Sequence, residues 1–159
     1  MAAEPVETGL QEALELAYRQ LGRRDRTVAE LRWYLRRRIS DHAAIEAAIR
    51  ELLDQGYLDD ERYARRFAED RRMLDGWGAE RIARRLADAG VASELVDAVV
   101  AEREPADELE AAVAVLRRRL AVPPADDRGR ERALGLLVRR GYELELAHDA
   151  IRAFERDAA

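Results

Sequence analysis

The sequence repeats its apolar pattern at a constant offset of 51 residues. When the chain is shifted by that offset, four apolar sets superimpose: Leu31, Ile82 and Ala133; Leu35, Leu86 and Leu137; Ile45, Val96 and Ala147; and Ile49, Val100 and Ile151. Gly90 and Gly141 superimpose as well. A period near 50 residues is typical of repeat proteins, in which each unit buries its apolar face against the next. The chain is therefore expected to contain tandem copies of one supersecondary unit.

Each copy is expected to be a triplet of helices, because apolar residues recur three and four positions apart along the whole chain. The predicted helices span residues 10–21, 28–38, 41–55, 60–74, 79–89, 93–103, 105–120, 127–140 and 143–156. No segment shows the alternating pattern of a β-strand. The predicted fold class is all-α, with three tandem three-helix repeats forming an elongated, curved helical array.

The repeat boundaries follow from the predicted helices. Residues 1–9 are expected to form a flexible N-terminal tail, residues 10–58 repeat 1, residues 59–104 repeat 2 and residues 105–159 repeat 3. The clearest loop is the segment Val122-Pro123-Pro124-Ala125-Asp126-Asp127 in the third repeat.

A structural junction is predicted at Gly56-Tyr57-Leu58-Asp59-Asp60. Gly56 follows an apolar helical series and can adopt the left-handed conformation that ends a helix. Tyr57 and Leu58 would then fold back onto that helix. Asp59 or Asp60 can cap the next helix, whose N-terminus favours a carboxylate.

Charge alternates along the chain with the same period. Residues 19–38, 62–85 and 117–140 each hold eight arginines and are net basic, whereas residues 41–61 and 88–110 each hold one arginine and are net acidic. All 28 basic residues are arginine, so every cation is a planar fork suited to phosphate or carboxylate. The net charge of −5 disfavours nucleic-acid binding by bulk charge. The alternation instead predicts basic second helices and acidic third helices.

Helical geometry places many of these arginines opposite the apolar faces. The outward, partner-facing candidates are Arg36, Arg37, Arg81, Arg84, Arg85, Arg132, Arg139 and Arg140. Trp33 lies on the same side of its helix as Arg36 and Arg37, where it is a candidate aromatic anchor for a base or a protein. Two other interpretations stay open: the charges are solvated faces that pair with each other, and neighbouring helices bury Trp33.

The sequence shows no constellation for catalysis or cofactor binding. It has no cysteine and no nucleophile–base pair, and His42 and His148 lack metal-ligand spacing. Gly76-Trp77-Gly78 lacks the strand and third glycine of a nucleotide-binding loop and is predicted to be a turn. We therefore expect no enzyme activity, metal, cofactor or small-molecule substrate. No apolar run is long enough to span a membrane, and the acidic N-terminus lacks signal-peptide features, so a cytoplasmic location is expected.

The segment from Gly56 to Ala64, with Gly76-Trp77-Gly78 and the series Ile82, Leu86 and Gly90-Val91, resembles the RecX family of bacterial recombinase regulators. The resemblance covers roughly residues 10–157. It implies three tandem three-helix repeats in a curved array that binds the RecA filament on single-stranded DNA and limits its extension. It also implies modulation of recombinational repair and the SOS response. Some members of the family bind DNA directly.

Two alternatives from other classes stay open at the level of sequence. One is a helical-repeat scaffold that binds a different protein. The other is a stand-alone, non-specific DNA-binding protein, for which salt-dependent binding to naked DNA is expected. A helix-turn-helix reader of specific sequences is disfavoured, because nothing selects one recognition helix among three equivalent ones.

Overall fold

The computed structural model describes residues 4–158, and within that range it contains nine α-helices and no β-strand. The helices are α1 (Glu4–Leu21), α2 (Val28–Arg36), α3 (His42–Asp54), α4 (Asp60–Asp70), α5 (Ala79–Asp88), α6 (Ser93–Ala101), α7 (Pro105–Arg119), α8 (Asp127–Arg140) and α9 (Leu144–Asp157). The predicted all-α fold is confirmed, and each predicted helix is present.

The first helix is longer than the sequence predicts. It begins at Glu4, so the expected nine-residue flexible tail is helical from that residue onward. Gly9 explains part of the difference, because it packs against the start of α3: a Cβ at Gly9 would lie 3.3 Å from both Ala44 Cβ and Asp41 Oδ2. This tertiary contact does not appear in the apolar spacing of the segment. Residues 1–3 of the predicted tail lie outside the described residues.

The fourth helix is shorter than predicted, because a five-residue π-helix, Arg71–Asp75, continues from the end of α4. The π-helix ends at Gly76, which adopts φ +64°. A π-helix is rare and frequently lies at a functional site, and its wider turn shifts the side chains that follow it. Here it carries the exposed side chains of Met73 and Leu74.

The described chain divides into two compact units. The N-terminal unit contains the residues up to Ala64 together with Asp88–Ala92. Helices α1, α2 and α3 pack together around its core. The buried core residues are Ala13, Leu14, Ala17, Leu31, Leu35, Ile39, Ile45, Ala48, Ile49, Leu52 and Leu58.

The C-terminal unit contains Arg65–Ala87 and the residues from Ser93 onward. Helices α7, α8 and α9 pack together around its main core. The buried core residues are Ala112, Val113, Val115, Leu116, Ala133, Leu137, Tyr142, Ala147, Ala150, Ile151 and Phe154. Ile82 and Leu86 of α5 are also fully buried.

In the N-terminal unit, the first turn of α2 is a packing junction. Thr27 forms a capping box with Glu30, and its hydroxyl also donates to the carbonyl of Ala89 at 2.6 Å. Gly90, with φ +81°, lies so close that a Cβ there would be 2.4 Å from Ala29 Cβ. The backbone N–H of Val28 donates to Asp60 Oδ1 at 2.9 Å.

The same junction recurs 51 residues later within the C-terminal unit, at the first turn of α5. Gly141, with φ +94°, lies against Arg81, where a Cβ would be 2.3 Å from Arg81 Cβ. The backbone N–H of Ala79 donates to a carboxylate, Glu108 Oε1, at 2.7 Å. Gly90 and Gly141 thus occupy equivalent places, which explains why both are glycine.

The predicted structural junction Gly56–Asp60 has the expected backbone. Gly56 has φ +76°, and the buried Leu58 folds back so that its N–H donates to Leu52 O at 3.2 Å. Asp59 caps α4, accepting from the N–H of Arg62 at 2.9 Å. Asp60 caps α2 rather than its own helix. Tyr57 stays exposed, with its ring against that of Tyr18 at a centroid distance of 5.4 Å.

Candidate partner-binding site

On α2 of the N-terminal unit, the predicted outward side chains are exposed. Trp33 is 63% exposed, and the Arg37 guanidinium lies over its ring at 4.7 Å from the centroid. Arg36 is exposed and lies 3.6 Å from Glu46, which also binds Arg32 through two hydrogen bonds. One face of the Trp33 ring and the plane of the Arg37 guanidinium are therefore available to a partner.

A depression of about 450 Å³ lies beside Trp33. Its lining residues are Arg24, Arg26, Ala29, Glu30, Trp33, Asp88, Ala89 and Gly90. Arg24 pairs with Glu30 at 3.3 Å, and the Nε atom of Arg26 is buried without a hydrogen-bond partner. The site is mixed in charge, and it offers a planar group an aromatic surface on which to stack.

In the C-terminal unit, four of the predicted arginines are exposed. Arg84 and Arg85 lie on α5, and Arg132 and Arg139 lie on α8. None of the four forms an ion pair with another residue of the described chain. Their guanidinium groups are therefore available for phosphate or carboxylate.

The remaining two predicted arginines are held within the protein. Arg81 stacks on Trp77 at 4.0 Å from the ring centroid and donates to the carbonyl of Arg139 at 3.1 Å. Arg140 is partly buried and donates to the carbonyl of Asp75. Helical geometry alone placed both on an outward face. Neighbouring segments cover them instead, so only part of each guanidinium faces solvent.

Arg140 lies among other cations. Burial lowers the pKa of Arg140 below its ordinary value, and the guanidinium groups of Arg119 and Arg118 lower it further. Arg118 and Arg119 belong to the last turn of α7. The negative end of the helix dipole stabilises cations at this position. The sequence showed these two arginines within its third basic segment, but nothing in their spacing indicated that they meet Arg140.

The described residues contain no group of three or more histidine, cysteine, aspartate or glutamate side chains placed to hold a metal ion. His42 is an exposed residue of α3, and His148 is an exposed residue of α9. No helix in the described part of the chain is long and apolar enough to cross a membrane.

Comparison with protein families places the chain among helical regulators. The model of "RecX, first three-helix domain" matches residues 13–52, and that of "RecX, second three-helix domain" matches residues 59–100. The regulatory protein RecX of Trichlorobacter lovleyi is 38% identical, over 82% of this chain and 87% of the relative. That of Halorhodospira halophila is 36% identical, over 90% of this chain and 88% of the relative.

Solved structures show the same fold. The crystal structure of RecX from Lactobacillus salivarius superimposes with a TM-score of 0.83, covering 94% of this chain and 99% of that one. A second crystal structure, of a regulatory protein RecX, gives a TM-score of 0.78 and covers 96% of this chain. Sequence identities are 16% and 19%, so these likenesses show the helical-repeat fold alone.

Proposed function

Because this chain belongs to the RecX family of regulatory proteins, we propose that it is a non-catalytic regulator of the RecA recombinase. It binds the RecA filament on single-stranded DNA in the cytoplasm and inhibits recombinase and ATPase activity by blocking filament extension. Through this inhibition it modulates recombinational repair and the SOS response. The name of the family supports a regulatory role, whereas the contact of this chain with RecA is proposed.

The observation that carries the proposal is the set of exposed arginines without ion-pair partners on α5 and α8. Arg84 and Arg85 lie on one helix, and Arg132 and Arg139 on the other. Surface arginines that pair internally contribute about 0–1 kcal/mol each and need no partner. Unpaired guanidinium groups instead favour binding of an acidic protein surface or a phosphate backbone. On this proposal, the RecA protein supplies the acidic surface and the single-stranded DNA supplies the phosphate backbone.

The net charge of −5 affects whether an acidic protein surface or a phosphate backbone contributes most of the binding affinity. Long-range electrostatic attraction to DNA is weak for an acidic protein. At physiological salt, screening limits the electrostatic interactions of each charged surface to a range of about 8 Å. Binding therefore depends on short-range contacts of the exposed arginines. A RecA contact supplements any contact to DNA.

The test is the single-strand-DNA-dependent ATP hydrolysis of RecA from the same organism, titrated with this protein at fixed salt. Inhibition well below one protein per RecA would support action on the filament, since one molecule would then halt many protomers. No effect at several-fold excess would exclude the proposed function. A scaffold for another protein would then be the better interpretation.

Direct binding of single-stranded DNA is a second candidate function, which the exposed Trp33 and its neighbour Arg37 favour. Aromatic stacking contributes about 1–3 kcal/mol per base and tolerates any sequence. Fluorescence titration with oligo(dT), in the absence of RecA and over a range of salt concentrations, tests it. Binding that falls steeply with salt and weakens in Trp33→Ala supports it, and no binding at low salt excludes it.

A further inference from the structure

The π-helix between α4 and α5 presents two apolar side chains to solvent. Met73 is 71% exposed and Leu74 is 72% exposed, among the most exposed large apolar residues in the described chain. The backbone around them is well fixed, since Gly76 ends the turn and the N–H of Trp77 returns to Arg71 O at 3.1 Å. The two side chains thus protrude from an ordered turn.

Two depressions of the C-terminal unit flank this turn. The first, of about 290 Å³, is lined by Leu74, Asp75, Val115, Arg118, Arg119 and Arg140. The second, of about 480 Å³, is lined by Arg72, Met73, Gly76, Ala111, Ala114, Arg117, Arg118 and Tyr142. Arg118 borders both. Each depression combines apolar side chains with arginines.

Three of the arginines around the turn, Arg118, Arg119 and Arg140, have no carboxylate partner among the described residues, whereas Arg71 pairs with Asp75 and Arg117 with Asp157. A Cβ at Gly76 would lie 3.2 Å from Arg118 Nη2 and 3.7 Å from Arg140 Nη1, so both guanidinium groups reach the same point. Arg118 and Arg119 form no ion pair within the described residues. Asp75 is the one acidic side chain lining the two described depressions, and Arg71 already holds it at 2.5 Å. The site therefore has excess positive charge.

We propose that this surface binds an acidic protein segment that carries an aliphatic side chain. Its carboxylates would pair with Arg118, Arg119 and Arg140, and its aliphatic side chain would lie against Met73 and Leu74. The exposed side chains of Met73 and Leu74 favour a peptide over a nucleic acid as the ligand of this surface. A phosphate backbone would meet the arginines but leave that pair in water, whereas bases favour aromatic surfaces.

This surface assignment rests on the proposed function only for the identity of the partner, RecA. It adds to that function the surface of this chain that contacts a protein. The probe is a short fluorescein-labelled peptide of repeated Asp-Asp-Leu triplets. A second peptide of Asp-Asp-Ser triplets has the same charge without the aliphatic group, and oligo(dT) supplies phosphates. Binding of each to the full chain is measured by fluorescence anisotropy.

We expect the leucine peptide to bind about tenfold more tightly than the serine peptide. The double variant Met73→Ser/Leu74→Ser should remove that preference, and Arg118→Glu/Arg119→Glu should weaken both peptides at least about tenfold. Arg23→Glu/Arg128→Glu and Val122→Ser are matched controls, because these exposed residues line neither depression. They should leave peptide binding unchanged.

Equal binding of the two peptides would overturn the proposal, as would tighter binding of oligo(dT) that depends on Arg118 and Arg119. No binding of the leucine peptide at millimolar concentration would overturn it too. These outcomes are independent of RecA. A protein that binds the peptide but leaves RecA hydrolysis unchanged would contradict the proposed function and leave this surface assignment intact.

Discussion

Gly78 and Gly141 contact each other through their backbones: a Cβ placed at Gly78 would lie 2.5 Å from the carbonyl oxygen of Gly141. The close approach allows two hydrogen bonds. The N–H of Gly78 donates to Arg140 O at 2.8 Å, and the N–H of Glu80 donates to Gly141 O at 2.9 Å. These bonds satisfy backbone donors at the start of α5 that a helix leaves without an internal partner. The contact thus joins the second helices of two successive repeats.

Gly78→Ala is expected to lower the free energy of unfolding by about 3 kcal/mol, because the new methyl group would overlap backbone atoms that cannot move independently. Gly56→Ala is the matched control. Gly56 has φ +76° but no atom within 4 Å of its Cβ position, so only the left-handed strain of about 1 kcal/mol applies. Urea denaturation of the three proteins measures both effects. A cost for Gly78→Ala below that for Gly56→Ala would show that the repeats do not depend on this contact.

Asp60 is expected to make stability depend on pH. Burial raises the pKa of Asp60 above its ordinary value, with smaller contributions from the nearby carboxylates of Asp59 and Glu30, although the Val28 N–H opposes them. The folded protein then binds the proton more tightly than the unfolded chain. Stability from this group is fully present below the unfolded pKa of about 3.9 and is lost as pH rises through the folded pKa.

The variant D60N separates the charge of Asp60 from its hydrogen bond, since an amide oxygen still accepts from Val28. The loss of stability just above about pH 4 should be smaller in D60N than in the parent protein when both are unfolded in urea across pH 4–7. D60A also removes the cap and should cost about 1 kcal/mol. Identical pH profiles for D60N and the parent would contradict this account.

Glu108 is expected to contribute more than Asp60, because it satisfies two groups. It is only 8% exposed, accepts from the Ala79 N–H at 2.7 Å and binds Arg103 Nη1 at 2.9 Å. Glu108→Ala leaves a largely buried guanidinium without its partner, so we expect a loss of about 3 kcal/mol on urea denaturation. In an Arg103→Met background the same change should cost clearly less. An equal cost in both backgrounds would show that the pair is not coupled.

The two tryptophans are expected to differ in their contribution to stability. Trp77 packs edge-on against Phe67 at a centroid distance of 6.1 Å and beneath Arg81, whereas Trp33 is largely in solvent. Trp77→Ala should therefore lower the free energy of unfolding by about 2 kcal/mol or more, and Trp33→Ala by about 0.5 kcal/mol or less. Thermal or urea unfolding followed by circular dichroism is independent of tryptophan fluorescence. A larger loss for Trp33→Ala would place that ring in a packed environment.

If the chain inhibits RecA as proposed, charge reversal on α5 is expected to relieve that inhibition while the protein stays folded. Arg84→Glu/Arg85→Glu changes two exposed residues without ion pairs, so helicity should persist while the concentration needed for half-inhibition of RecA ATPase rises at least about tenfold. Arg50→Glu/Arg156→Glu alters the net charge equally, on exposed positions of α3 and α9 without ion pairs in the described chain, and should inhibit normally. Equal loss in both variants would indicate that overall charge, not the α5 surface, governs inhibition.

Much of the fold follows from local features of the sequence. Apolar spacing places all nine described helices, since side chains three and four positions apart share a helix face whatever surrounds them. The left-handed glycines at positions 56, 90 and 141 were also foreseeable, because a glycine after an apolar series ends a helix at little steric cost. The 51-residue offset predicts which of these ends are equivalent.

The site depends on contacts that the sequence does not encode locally. Asp60 caps a helix that begins 32 residues earlier. Arg81 and Arg140 donate hydrogen bonds to carbonyl groups 58 and 65 residues away, which hold their guanidinium groups against the protein. Met73 and Leu74 are exposed in a π-helix where the sequence predicted a continuous α-helix. Spacing determines which face of a helix a side chain lies on. Whether that face meets water, a carbonyl or another arginine is decided by the helices packed around it, and therefore by the tertiary structure.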